Sequence, residues 1–297
     1  MKKNTYILMG LLVCLFIIAY LVLQKPGERN ANSASTGLLL SVDSLFVDKI
    51  EIQTSTFSLL LEKHGAEWYV AQPVSYKADQ ATFGQFIHQI KNLEIKNIVS
   101  DKPEKHPVFQ VDQTGTPVTV YEKGVEKSSF ILGKMAASYS ESYARRGNSN
   151  DVLMIEGASS YLFSRPVKDW RDKTILTMPK ENIKEVRYQY GDTTFTITLS
   201  DSAWFAGKEK AKQTAVEGIL SSISNLQADD FIDSTVSPKV TAMMVFAGVQ
   251  LRFSFDKPMN KYYVQSSNSP QWFVLEPWKA NQILKRKKEI VESNTRQ

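Results

Sequence analysis

The stretch Val47-Asp48-Lys49-Ile50-Glu51-Ile52, running on to Trp68-Tyr69-Val70, lies without a gap over Ile183-Lys184-Glu185-Val186-Arg187-Tyr188 and Trp204-Phe205-Ala206. Ile50 against Val186 and Trp68 against Trp204 give the same offset, 186 − 50 and 204 − 68 both being 136, so the register holds throughout. The chain therefore carries a duplicated module. Within the first copy, Ile50 and Ile52 alternate with Glu51 and Gln53, and Phe57, Leu59 and Leu61 alternate with Ser58, Leu60 and Glu62. A period of two is the mark of half-buried strands, and Thr54-Ser55-Thr56 joins them as a hairpin. Val186, Tyr188 and Tyr190, then Phe195, Ile197 and Leu199, repeat the pattern around Gly191-Asp192.

Beyond each tryptophan the period changes. Phe83, Phe86, Ile87, Ile90 and Leu93 share one face of a 3.6-residue helix starting at Asp79, and Val216, Ile219, Leu220, Ile223 and Leu226 are their duplicates. Thr214-Ala215-Val216-Glu217 reads as a capping box at the second helix start. Tyr143 to Glu156 matches Tyr263 to Glu276 at an offset of 120 (263 − 143 and 276 − 156), so the repeat reaches almost to the end of the chain. Helices are expected over 158–164 and 278–288. With one long helix per copy, the patterning predicts an α+β fold of two tandem modules, each an antiparallel sheet on one long amphipathic helix, following an N-terminal transmembrane helix. A doubly wound parallel fold needs a crossover helix after nearly every strand and does not fit.

The 297 residues are 42% hydrophobic and 23% charged, a globular composition with length for two domains. A net charge of +5 is too mild to argue for nucleic acid. Tyr6 to Leu23 contains no charge and at 1.5 Å per residue extends about 27 Å, close to the hydrocarbon thickness. Lys2 and Lys3 precede it, and the positive-inside rule then exports everything after Leu23. The expectation is a single-pass inner-membrane protein with a cytoplasmic tip (1–5), a membrane anchor (6–23), a polar linker (24–37), a first module (38–177), a second module (178–292), and a disordered tail (293–297). The exported part is then periplasmic. Cys14, the only cysteine, follows Val13 rather than the small residue of a lipoprotein signal, which leaves it facing lipid.

Motifs for chemistry are missing from the sequence. His64, His88 and His106 have no ligating neighbour at the spacings metals require, and Asp229, Asp230 and Asp233 lack the spacing of a calcium loop. No catalytic, metal or cofactor residue is assigned, and the chain is read as a non-enzyme. Two groups of residues are candidates for binding. Trp170, Arg171, Asp172 and Lys173, at the junction of the copies, read either as a partner-binding edge or as an interdomain staple. Tyr143 and Arg145 in one copy, with Tyr263 and Trp272 in the other, would line an aromatic cleft between the repeats for a glycan, lipid or peptide. Lys285-Arg286-Lys287-Lys288 is the one basic run, placed where it complements a helix C-terminus.

The order Val47 to Ile52, Leu61-Glu62-Lys63, Trp68-Tyr69-Val70, Pro73-Val74, Ala78-Asp79-Gln80 and Asn92-Leu93, followed by Trp170 to Leu176, resembles the bacterial family of domain of unknown function 4340. Val108-Phe109-Gln110-Val111 stands where that family usually has a tyrosine-glycine-leucine element. The resemblance implies an exported, membrane-tethered protein, often encoded beside an export-type ATP-binding-cassette system related to those of gliding bacteria. It implies no activity and carries no catalytic residues. The reading that results is a non-catalytic envelope protein that binds another envelope protein.

Overall fold

The computed structural model describes residues 37–292 except Tyr139, Ser159 and residues 234–237. The expected anchor over 6–23, the linker before Gly37 and the tail over 293–297 lie outside the described residues. Gly37 itself, placed in the linker by its composition, is already strand. The chain divides into two compact units between Arg171 and Asp172.

The first unit is a ten-stranded antiparallel sheet built from β1 (Gly37–Leu38), β2 (Val47–Gln53), β3 (Ser58–His64), β4 (Glu67–Gln72), β5 (Tyr76–Lys77), β6 (Glu94–Ser100), β7 (Thr116–Glu122), β8 (Val125–Met135), β9 (Glu141–Arg146) and β10 (Val152–Glu156). Their spatial order is β1-β6-β10-β9-β8-β7-β2-β3-β4-β5. Three helices accompany them: α1 (Gln80–Lys91), α2 (His106–Phe109) and α3 (Ser160–Ser164). In the second unit β11 (Thr174–Thr177) pairs with β16 (Asn225–Gln227) as a separate ribbon. That pairing is why 172–177, placed with the first module from sequence, belong to the second unit.

The second large sheet has nine strands: β12 (Glu185–Tyr190), β13 (Thr193–Ser200), β14 (Ala203–Ala206), β15 (Glu209–Lys210), β17 (Asp230–Ile232), β18 (Ala242–Phe246), β19 (Val249–Asp256), β20 (Lys261–Ser266) and β21 (Trp272–Leu275). Its helices are α4 (Gln213–Ser224), α5 (Pro277–Ile283) and α6 (Lys287–Ile290). Taken from one edge, β17-β21-β20-β19-β18-β12-β13-β14-β15 follows the same path as β6-β10-β9-β8-β7-β2-β3-β4-β5. Registers agree as well, since Ile50 opposes Leu61 and Val186 opposes Ile197, each pair 136 residues from its counterpart. The edge strands β1, β5, β15 and β17 are two or three residues long, which limits the unpaired backbone offered for aggregation.

The α+β expectation is corrected by this architecture. The fold is dominated by sheet; its longest described helices, α1 and α4, have 12 residues each, and no helix among the described residues is long and apolar enough to cross a membrane. The physical reason is that the helical period covers only about three turns before Asn92 and Asn225 end it, while the antiparallel strands continue on both sides. The helices act as covers for a sheet, filling one face with Phe83, Phe86 and Ile90 in the first unit and with Val216, Ile219, Leu220 and Ile223 in the second.

Each helix start is fixed by tertiary backbone bonds. Asp79 caps α1, its carboxylate accepting from the Thr82 N–H at 2.6 Å, while its own N–H donates to the Trp170 carbonyl at 2.8 Å. In the second unit the Lys212 N–H donates to the Ile290 carbonyl, also at 2.8 Å, and Lys212 occupies the cap position without a side-chain bond. The capping box expected at Thr214 is therefore corrected. The strand-like bridge between Ala211 and Val291 begins the helix two residues earlier and carries Thr214 inside its first turn. The Trp68 ring, on β4, stacks on Phe83 of α1 at 3.8 Å between centroids.

Candidate functional site

The second unit holds a cleft of about 660 Å³ at one end of its sheet. Three aromatic rings line it. Tyr190 ends β12, Phe255 lies near the end of β19, and Tyr262 near the start of β20. Phe255 and Tyr262 are direct cross-strand partners with centroids 4.7 Å apart, and Phe255 keeps 39% of its surface exposed, unusual for a phenylalanine in a folded sheet. The opposite wall is the segment from α5 to α6, with Asn281, Lys285, Arg286 and Glu289.

Hydrogen bonds hold this wall in place. The Tyr188 hydroxyl donates to the Ile283 carbonyl at 3.2 Å and the Tyr190 hydroxyl to the Lys285 carbonyl at 2.9 Å, so alternate residues of β12 pin the end of α5 and the link that leads to α6. The Arg286 guanidinium lies 3.7 Å over the Tyr190 ring, a cation–π contact, and the Arg286 N–H donates to the Glu289 carboxylate at 2.7 Å. Glu289 is thus engaged as a helix cap, and Lys287 pairs with Glu209 at 2.6 Å. Lys285 and Arg286 leave the cleft cationic on that side.

Burial pushes the Tyr188 and Tyr190 phenols well above their ordinary value. The folded protein holds these protons more tightly than the unfolded chain, so the stability they contribute is complete below about pH 10 and is lost as pH rises beyond it. The expected result is a urea midpoint that holds up to about pH 9.5 and falls from about pH 10 upward. Tyr188→Phe should flatten that alkaline decline while costing about 1 kcal/mol at neutral pH through the lost bond to Ile283. An alkaline slope unchanged in the variant would contradict this assignment.

The residues singled out in the sequence have other places. Trp170 is fully buried in the first unit, packed edge-on against Phe86 at 4.8 Å, with its indole N–H donating to the Arg165 carbonyl. Arg171 is 2% exposed, with its guanidinium 4.6 Å from the centre of the Tyr76 ring. Asp172 and Lys173 open the second unit, where the Asp172 carboxylate accepts from the Thr174 N–H and the Lys173 carbonyl from Ala228. The tetrad is thus split, two residues to each unit.

Of the proposed cleft residues, Tyr143 packs on Phe109 at 4.6 Å, and the Arg145 guanidinium donates to the carbonyls of Val111, Gly147 and Ser149. Tyr263 donates to the Asp256 carboxylate at 2.6 Å, a bond that raises its own pKa and lowers that of Asp256. Trp272 is buried in β21. None of the four lines the cleft of Tyr190, Phe255 and Tyr262, while Tyr263 lines, with Phe255, a second pocket of about 520 Å³ in the same unit. Sequence reasoning missed that cleft, although a signal existed: at the established offsets Tyr190 corresponds to Thr54 and Tyr262 to Ser142, aromatic in one copy and polar in the other.

Comparison with known proteins gives one match to a protein family, described as domain of unknown function (DUF4340), over residues 68–243. No curated protein and no solved structure matches.

Proposed function

We propose, from the premise that this chain belongs to the DUF4340 family, that it is a non-catalytic, membrane-anchored accessory protein of the cell envelope that docks a segment of another envelope protein. The observation that carries this reading is the cleft of the second unit. The exposed Phe255 ring and the half-buried Tyr262 ring beside a cationic wall offer apolar area and a charge preference together, the combination that recurs at protein-recognition hot spots. The segment it suits carries an aromatic or aliphatic side chain next to a carboxylate. Tyr190, already donating to a backbone carbonyl and kept neutral by burial, is suited to holding a wall and poorly suited to proton transfer. The uncharged run Tyr6–Leu23 supports the anchor.

A photo-reactive amino acid at Phe255, in the full chain expressed in its own membranes, tests the proposal. One discrete crosslinked envelope protein is the expected product, its yield falling at least about tenfold with Tyr262→Ala and Arg286→Ala together, if each contact contributes on the order of 1 kcal/mol or slightly more. Both side chains are at the surface of the cleft, so the melting temperature should stay within a few degrees of the parent. An adduct that persists unchanged in the double variant, or no adduct at all, would reject the cleft as the docking site.

A further inference from the structure

The first unit carries a second exposed feature, at the end of its sheet where β2 begins and β7 turns into β8. Leu45 is 77% exposed, Phe46 45% and Val125 68%, three large apolar side chains on two adjoining loops. The loops are joined to each other: the Lys123 N–H donates to the Phe46 carbonyl at 3.2 Å, the Gly124 N–H to the Asp48 carboxylate at 2.6 Å, and the Asp43 N–H to the Glu122 carboxylate at 2.6 Å. Lys123 and Gly124 have φ of 53° and 78°, the geometry of a type I′ hairpin turn, so the tip is preformed. Its nearest carboxylates, on Asp43, Asp48 and Glu122, accept backbone N–H groups, and the Lys123 ammonium lies 3.8 Å over the Phe46 ring. Further along the hairpin, the Lys127 ammonium lies 3.9 Å from the Glu122 carboxylate.

The duplication supplies an internal comparison. The second unit has the same turn at Ala247-Gly248, with φ of 44° and 79°, but Val249 after it is 7% exposed, and the residues matching Leu45 and Phe46 are Glu181 and Asn182. The fold therefore does not require exposed apolar side chains at these positions; the first unit has them at Leu45, Phe46 and Val125. It is also the unit that follows the apolar run. Thirteen residues separate Leu23 from Gly37, and Leu45 comes eight residues later.

We propose that the Leu45-Phe46 loop and the Lys123-Gly124-Val125 hairpin form a lipid-contacting tip that seats the first unit in the interfacial zone of the bilayer. The inference rests on the reading that the chain is membrane-anchored. Insertion is driven by apolar side chains, with Lys123 placed to reach the headgroups, so it should be insensitive to salt and hold on neutral vesicles.

The test uses the full chain with Cys14→Ser, reconstituted in phosphatidylcholine vesicles and labelled with an environment-sensitive fluorophore at Leu45→Cys, Val125→Cys or, as the control, Glu181→Cys. Brominated lipid should quench the probes at 45 and 125 several-fold more than the probe at 181, at low and high salt alike. A chain that floats with the vesicles but shows equal, weak quenching at all three sites overturns the tip and leaves the anchor standing. A chain that does not float overturns both readings. Shielding at 45 in native membranes but not in pure lipid would assign the surface to a protein and likewise overturn the proposal.

Discussion

Trp170→Ala should be the most damaging single substitution described here, lowering the stability of the chain by about 3–5 kcal/mol and the melting temperature by roughly 10 °C or more. Trp170 is completely buried, its ring meets Phe86 edge-on, and Phe86 in turn meets Phe163 at 5.8 Å. Truncation would leave a void the size of an indole and the Arg165 carbonyl without its donor. The backbone adds to the effect, because the Trp170 carbonyl accepts the Asp79 N–H at the start of α1, so loosening of this segment frays the helix that covers the sheet. Trp170→Phe, which retains much of the volume, should recover most of the loss. Calorimetry on both variants with amide exchange over residues 80–91 checks the argument; a melting temperature within two or three degrees of the parent for Trp170→Ala would exclude a packing role.

Gly133→Ala should be nearly as harmful, although it adds a single methyl group. A Cβ at Gly133 would lie 2.2 Å from the Phe109 carbonyl oxygen and 2.7 Å from Val111 Cγ1, so the segment over residues 106–111 must lift from the sheet. Overpacking of this kind costs typically about 1–3 kcal/mol, and the upper end is expected because the obstacle is backbone. Gly115→Ala meets the same segment elsewhere, at 2.4 Å from the Gln110 carbonyl oxygen. Both changes should release the Arg145 guanidinium from the Val111 carbonyl and expose Tyr143, seen as faster trypsin cleavage after Lys105 together with a lower melting temperature. Wild-type protease resistance in both variants would mean that the cover tolerates displacement.

The hairpins and helix faces were legible because they depend on local periods. Ile50 and Ile52 face the core for the reason their spacing implies, and Phe83, Phe86 and Ile90 are buried together three and four residues apart. The class of the fold was not legible from the same pattern. Sequence periodicity weights a 12-residue helix as strongly as several strands, because a helix gives one long coherent signal whereas strands such as β1, β5 and β15 are too short to give any. The cleft of the second unit was not legible for a related reason. Tyr143 and Tyr263 stand out as repeated aromatics, yet each is engaged inside its own unit, Tyr143 against the Phe109 ring and Tyr263 by its bond to Asp256. The cleft is made of positions where the copies differ.

By itself the sequence determined that the chain is built twice, at what register, and which side chains of each strand turn inward, since those properties follow from alternation and from a constant offset. It also holds the uncharged run over Tyr6–Leu23. Only the tertiary structure decided that ten strands in one unit and nine in the other continue as single sheets, that Trp170 and Arg171 are interior, and that Tyr190, Phe255, Tyr262 and Arg286 meet. These residues come from elements up to 96 residues apart, Tyr190 to Arg286, and no local period links them. Their meeting depends on strand order and on where α5 and α6 are fastened by Tyr188 and Tyr190, which is settled when the whole sheet pairs.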